Sequence, residues 1–431
     1  DYKAGPATLG TERIEETLRR LGDPQTACPA VHIAGSKGKG STAYLSARLL
    51  QALGHKVGLF TSPHVNHIRE RIQINGEPIR EPFFCECFAE VQPVVEAMRQ
   101  HPVVKPPTYF EILTAMGFVA FARAGVERMV VEVGLGGRLD ATNVRNLPTR
   151  ASAITTISRD HVKQLGHDLV SIAGEKAGIL RPRTPVVLSP QEAGVGASLR
   201  ERARALDCPV RAVGADIRVA LREPPPVDAP EAPQRVDIET WRACHRDIPL
   251  PLLGAHQRDN AAAAMGLVEC LLEAEDAGPV DTAAIRRAWR EAHLPGRIEV
   301  VARRPWILLD GAHNPASAWT LAETLASRFA ATDRALVFSA ARHKEIPTML
   351  RVLAPLVKYI VLTTIPSPRS LDLEETGDHI ADNYDAELLV EPTPLTAVEK
   401  ARSRVGSDGL VCVTGSLYLV GAVRQAFVAP D

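Results

Sequence analysis

Residues 31–41 read Val-His-Ile-Ala-Gly-Ser-Lys-Gly-Lys-Gly-Ser, an apolar run entering a loop of three glycines and two lysines that ends on a hydroxyl. Gly35, Gly38 and Gly40 lack a Cβ, so backbone amides can close around an anion. Lys39 can neutralise outer phosphates. Ser41-Thr42 open an apolar helix (Tyr44, Leu45, Leu49, Leu50) whose N-terminus adds the positive end of a dipole. Such a loop is expected to bind a nucleoside triphosphate. It departs from the strict phosphate-loop pattern, because Gly40 follows Gly38-Lys39 and the hydroxyl arrives one place later. A lysine-rich turn between strand and helix is the plainer alternative.

Triphosphate chemistry calls for a divalent cation, and magnesium takes hard oxygen ligands while keeping several waters. Ser62, Glu132 and His161 each end or follow an apolar run. In an open α/β sheet ligands gather beyond the carboxyl ends of the strands, which would bring all three to the loop. A carboxylate inside an apolar strand is costly unless paired or metal-bound, which singles out Glu132. Ser62 alone also reads as a turn hydroxyl, and His161 as a capping or exposed histidine. Glu175-Lys176 is either a solvated charge pair or a lysine turned toward the metal site, where a carbamate would ligate a second cation. Further on, His256-Gln257-Arg258-Asp259-Asn260 opens a helix and Arg297 follows Leu294-Pro295-Gly296. Asp310-Gly311-Ala312-His313-Asn314-Pro315 follows an apolar run at 306–309, a setting suited to ribose or phosphate contacts.

The elements that must position these residues alternate. Strands are expected at 31–34, 57–60, 128–133, 153–157 and 186–188, with helices at 11–21, 41–53, 111–124, 171–178 and 260–273. Asn75-Gly76 between Ile72–Ile74 and Glu77–Ile79 predicts a tight hairpin. The proline-rich stretch 222–236 reads as a surface excursion between edge strands rather than a domain boundary. After Leu294-Pro295-Gly296 the alternation restarts: strands at 306–309, 334–338, 359–363 and 410–413, helices at 317–329 and 347–356. The fold class is therefore α/β: a doubly wound, mainly parallel sheet bearing the glycine loop, plus a smaller C-terminal Rossmann-like α/β domain. The expected domains are 1–294, bearing the glycine loop, and 297–431, with a hinge at 294–297. Two domains also suit 431 residues, since single cores stop growing near ~250–300.

Net charge is −1 and the pI near 7.0, which supplies no basic field for nucleic acid or an anionic membrane. Seven scattered cysteines read as free thiols in a reducing cytoplasm. No apolar run approaches the ~18 residues of a membrane span. A monomer is expected.

In order along nearly the whole chain, these motifs resemble the folylpolyglutamate synthase/dihydrofolate synthase family, a branch of the muramyl ligase superfamily. The most specific are Glu132–Asn143 (Glu-Val-Gly-Leu-Gly-Gly-Arg-Leu-Asp-Ala-Thr-Asn) and Asp310–Pro315; Thr61–His64, Arg69–Ile72, Pro295–Arg297 and Gly415–Tyr418 add to them. The resemblance implies an ATP-dependent ligase that adds L-glutamate to a folate or dihydropteroate carboxylate through an acyl phosphate. It places ATP on Gly38, Lys39, Gly40, Ser41, Asn260, Arg297 and Asp310, and two magnesium ions on Ser62, Glu132 and His161, with Lys176 as a carbamylated lysine. Lys39, Lys176, Asp310 and His313 would serve catalysis. Thr11, Glu12, Arg13, Ile14, Tyr109, Phe110, Glu111, Leu139, Asp140 and Ala141 would line the pterin site. A ligase for cell-wall precursors and a non-catalytic ATP-binding regulator are the alternatives; with the loop starting at residue 35, no UDP-binding domain is expected ahead of it. Two departures stand out. The family loop usually reads Gly-Thr-Asn-Gly-Lys-Gly-Ser, so Ser36-Lys37 replaces Thr-Asn. In Ala341-Arg342-His343-Lys344-Glu345, Lys-Glu replaces the common Lys-Asp.

Overall fold

The computed structural model describes residues 10–100, 104–159, 166, 168–226, 228–330 and 333–428. Its first sheet is built from β1 (Ala30–Ala34), β2 (Val57–Phe60), β3 (Ile72–Ile74), β4 (Glu77–Pro78), β5 (Arg128–Glu132), β6 (Thr149–Ile154), β7 (Val186–Leu188) and β8 (Val210–Ala212), in the order β4-β3-β2-β5-β1-β6-β7-β8. All neighbours run parallel except the hairpin β3–β4 and its junction with β2. The expected Asn75-Gly76 turn makes that hairpin, with both residues at positive φ.

β1 sits between β5 and β6, and register aligns their ends: Ile33 lies opposite Glu132 and Ala34 opposite Ile154. The strands are buried on both faces, hence their unbroken apolar character. On one face the helix Ala255–Ala274 packs against Lys39–Ala52, and Ala261 to Ala264 are fully buried small side chains that permit a close approach. On the other lies Tyr109–Ala124. There Gly58 is obligatory, because a Cβ would stand 2.6 Å from the ring of Phe121.

The apolar pattern does not mark every element. The helix Glu81–Arg99 carries Pro93 in its interior, against the usual reading of proline as a breaker. The proline-rich stretch joins β9 (Arg218–Glu223) to β10 (Gln234–Glu239), which with β11 (Cys244–Leu250) forms a separate three-stranded antiparallel sheet, so the excursion runs between strands.

The last sheet contains β12 (Glu299–Arg303), β13 (Trp306–Leu309), β14 (Arg334–Phe338), β15 (Tyr359–Leu362), β16 (Glu387–Val390) and β17 (Leu410–Thr414), ordered β12-β13-β17-β14-β15-β16 and parallel but for β12. It has its own core around Leu308, Leu336 and Phe338. Among the described residues no helix is long and apolar enough to cross a membrane.

Candidate active site

The ends of β1, β2, β5 and β6 meet at the glycine loop. Ser36 and Lys37 both donate their amides to the Thr156 carbonyl, at 3.1 Å, and Ser36 Oγ donates to the Ser158 carbonyl at 2.9 Å. Gly35 leaves room for Thr155, whose Oγ1 lies 1.8 Å from the position of a Cβ; Gly38 adopts a left-handed φ of +86°. Lys39 starts the helix Lys39–Ala52, and its Nζ donates to the Gly35 carbonyl at 3.1 Å. Lys176, buried at the end of the helix Leu169–Lys176, donates to the same carbonyl at 2.8 Å. Two ammonium groups and a helix N-terminus at one glycine turn make a site for a polyanion.

Two carboxylates face this charge from different sheets. Glu132 ends β5 with one oxygen accepting the Ser62 amide at 3.0 Å. Burial pushes its pKa up, opposed by Lys39, the Ser62 amide, Arg297 and Arg71. Asp310, just past β13, accepts the Ile298 amide at 2.9 Å and the Ala312 amide at 2.8 Å. Burial pushes it up too, opposed by Arg297, the two amides and Lys37. His313 Nδ1 is 2.8 Å from the Gly311 carbonyl, which requires the proton on Nδ1. Asn260 is held by Gln257 at 2.9 Å, with its carbonyl oxygen against Gly38. Next to it, burial and then Arg297 push His256 down to about 4, so its ring is neutral at pH 7.

A cavity of about 620 Å³ runs from the glycine loop to a second, less charged end. There Arg13 Nε bridges both oxygens of Glu111, at 3.1 and 3.0 Å, and Glu111 accepts the Thr108 amide that caps the helix Tyr109–Ala124. Phe110 packs on Gly134, where a Cβ would meet its ring at 2.3 Å. Asp140 accepts the Leu135 amide at 2.8 Å with one oxygen, and the Thr142 amide at 3.0 Å and hydroxyl at 2.6 Å with the other. It holds the glycine-rich turn in shape.

The structure brings most of the expected residues to this one wall. Gly38, Lys39, Gly40, Ser41, Ser62, Glu132, Lys176, Asn260, Arg297, Asp310 and His313 line the charged end; Arg13, Phe110, Glu111, Leu139, Asp140 and Ala141 also line the cavity. Four expected residues do not. Ile14 is sealed in the core, Thr11 precedes the first turn of Glu12–Arg20, Glu12 is exposed on that turn, and Tyr109 is 44% exposed at a helix start. His161 lies outside the described residues. Sequence reasoning passed over Arg71, which donates to His64 Nδ1 at 2.9 Å and lines the cavity, although the motif Arg69–Ile72 contains it. It also passed over Ser317 and Thr320, whose i, i+3 spacing on the helix Pro315–Arg328 presents both to the cleft.

The family model for the Mur ligase middle domain matches residues 33–268, and that for the Mur ligase, glutamate ligase domain matches 296–417. The dihydrofolate synthase/folylpolyglutamate synthase of Bacillus subtilis is 34% identical over 96% of this chain and 94% of its own. A crystal structure of Mycobacterium tuberculosis folylpolyglutamate synthase complexed with ADP and AMPPCP superposes with a TM-score of 0.91 at 34% identity, covering 98% of this chain and 96% of that one. E. coli FolC in complex with DHPP and ADP gives 0.86 at 26% identity, over 99% and 95%.

Proposed function

The chain belongs to the folylpolyglutamate synthase/dihydrofolate synthase family of Mur ligases, and on that premise we propose how its cleft divides the work. The protein is an ATP-dependent ligase that forms a carbon–nitrogen bond between L-glutamate and a folate-type carboxylate, and its substrates are small molecules. The observation that carries the assignment is the meeting of Lys39, Glu132 and Asp310, from two sheets, in one cavity whose other end is walled by Phe110 and Leu139.

In this reading the carboxylate of the pterin substrate attacks the γ-phosphate, giving an acyl phosphate and ADP. The amine of glutamate then displaces phosphate to form the amide. The protein positions the groups and offsets charge spreading over the phosphoryl oxygens. Gly38, Lys39, Gly40 and Ser41 hold the phosphates, and Asn260, Arg297 and Asp310 hold the rest of the nucleotide. His313 meets the transferring phosphate and the incoming amine. The pterin lies against Phe110, Leu139 and Ala141.

The donor set fits magnesium. Glu132 is a buried carboxylate with an oxygen left over from its bond to Ser62, and Ser62 adds a hydroxyl. With His161 as the further ligand that the resemblance implies, phosphate oxygens and water would complete the shell, as magnesium prefers. Bound there, magnesium supplies Lewis-acid polarisation of the phosphoryl oxygens. Carbamylation of Lys176 would turn its ammonium into an anion offering a further oxygen ligand, and a mass increment of one carbon dioxide on its peptide checks this.

The nucleotide lobe is assigned to 1–294 and the glutamate lobe to 297–431. The hinge at 294–297 ends beside Ile298, a β-branched residue at a φ of +51° whose amide is held by Asp310. Closure about it would exclude water from the acyl phosphate. The protein acts as a cytoplasmic monomer, which light scattering checks.

The test is glutamate-dependent ADP release with dihydropteroate, dihydrofolate, tetrahydrofolate and a UDP-muramyl precursor, products read by mass. A glutamylated pterin is expected, and Lys39→Ala should lower turnover by about 10²–10³. Turnover with the muramyl precursor alone would refute the substrate while leaving the ligase chemistry intact.

A further inference from the structure

The proline-rich stretch between β9 and β10 hangs from the small sheet that packs on the helix Ala255–Ala274, beside the glycine-loop sheet. Its tip nevertheless rests on the unit built around the last sheet. A turn closed by the Ala232 amide on the Ala229 carbonyl, at 2.9 Å, brings two carbonyls to Arg328. Arg328 Nε and one terminal nitrogen donate to the Pro230 carbonyl at 2.9 and 2.6 Å, and that nitrogen also donates to the Ala232 carbonyl at 2.6 Å. Glu231, between them, pairs with Arg303 of β12 at 3.2 Å, but the Arg303 side chain is 72% exposed and such a pair is weak. The planar guanidinium fork of Arg328 is the firmer grip, because it fixes direction as well as distance.

Arg328 ends the helix Pro315–Arg328, whose other end enters the cleft with Ser317 and Thr320. Midway along it, Thr324 Oγ1 would lie 3.0 Å from a Cβ on Gly254, and Leu321 and Leu325 share a core with Leu253. Gly254 caps the helix that carries Asn260. The helix is therefore braced against the glycine-loop unit at its middle and at its far end. At 1.5 Å per residue, a shift of about 1 Å at Arg328, pivoting on Thr324, becomes about 2 Å at Ser317.

We propose that the tip of the proline-rich stretch is a strap and Arg328 a positioning residue: held on the Pro230 and Ala232 carbonyls, Arg328 sets the tilt of its helix and so keeps Ser317 and Thr320 over the bound nucleotide. The inference rests on the nucleotide reading of this cleft. Its signature lies in nucleotide affinity and KM for ATP, with kcat little changed.

ADP binding is measured by calorimetry, and KM for ATP and kcat by ADP release, for the full chain, for Arg328→Ala, for a strap variant with residues 228–232 replaced by three glycines, and for the two changes together. The shorter connection can close, since Glu223 already lies opposite Arg235. Arg328→Ala should weaken ADP binding and raise KM for ATP by about fivefold or more, with kcat within about twofold. The strap variant should show the same loss, and the combined variant should bind ADP no more weakly than the weaker single one, the non-additivity of groups that act through each other. Wild-type ADP affinity in Arg328→Ala or in the strap variant, a loss confined to kcat, or losses that multiply in the combined variant would each overturn the proposal. Should Arg328→Ala fail to fold, the strap variant carries the test, and wild-type ADP affinity in it overturns the proposal. A wild-type protein that binds no ADP refutes the nucleotide reading itself, whereas one that binds ADP as tightly as its Arg328→Ala variant refutes only the strap.

Discussion

Gly38→Ala tests whether the glycine loop works through backbone shape. The native φ of +86° lies in the left-handed region, which costs an L-residue about 1–2 kcal/mol. The added Cβ would also stand 2.1 Å from Asn260 Oδ1, closer than any real contact. Asn260 sits on a helix packed against Lys39–Ala52, so relief must come from swinging its amide, which breaks the 2.9 Å bond to Gln257. That loss is worth about 1 kcal/mol. Together the penalties reach about 2–3 kcal/mol, all at the phosphate loop, which corresponds to about 30- to 150-fold in nucleotide affinity. Gly54→Ala is the control: it has a similar φ of +96° but nothing within 4 Å of the new Cβ, so it carries backbone strain without a clash and lies outside the cleft. ADP calorimetry, KM for ATP and melting temperature are read for both. Gly54→Ala should lower the melting temperature and leave ATP affinity alone. A Gly38→Ala enzyme with wild-type ADP affinity would refute the reasoning.

Three other outcomes follow from packing and charge. Burial pushes His32 down to about 3, with Arg181 adding to the effect, while in the unfolded chain it titrates near its ordinary value of about 6.5. Its folded pKa is depressed, so the unfolded state binds the extra proton as pH falls, and from pH 7 to 5 His32 alone removes about 2 kcal/mol of stability. Urea unfolding of His32→Asn should show a pH dependence shallower by that amount, and parallel curves would contradict it. Glu299 accepts both contacts of the buried Arg424 Nε, at 2.9 and 3.1 Å, together with the Gly296 amide at 2.9 Å and His293 at 3.0 Å. Glu299→Gln leaves a buried guanidinium uncompensated and should cost about 3–5 kcal/mol, seen as an earlier urea transition. Gly134→Ala drives a methyl into the Phe110 ring, and overpacking of about 1–3 kcal/mol at that end should raise KM for the pterin about tenfold while KM for ATP holds.

How much of this was legible in the chain depends on the distance between the groups involved. The glycine loop, the Asn75-Gly76 hairpin and the apolar runs of β1, β2 and β5 are written in adjacent residues, because turn chemistry and side-chain periodicity are local. The same is true of Asp310–Pro315 and Glu132–Asn143, whose glycines and carboxylates sit at fixed spacing. Placing Ile14 with Arg13 and Tyr109 with Phe110 failed for a physical reason: neighbours on a helix point in different directions, so one faces the cleft while the next enters the core or solvent. The sheet β9–β11 was hidden because its strands are partly exposed and alternate apolar with polar residues, leaving no continuous apolar run to mark them.

By itself the sequence determined a glycine turn suited to a polyanion, carboxylates at strand ends, and a strand–helix alternation that restarts after Leu294-Pro295-Gly296. Only the tertiary structure decided which charges face which. Lys176 reaches the Gly35 carbonyl across 141 positions, and Glu132 and Asp310, at strand ends of different sheets, line one cavity. Such encounters are fixed by strand order, register and helix packing, which depend on burying the whole chain at once and leave no trace in any single segment.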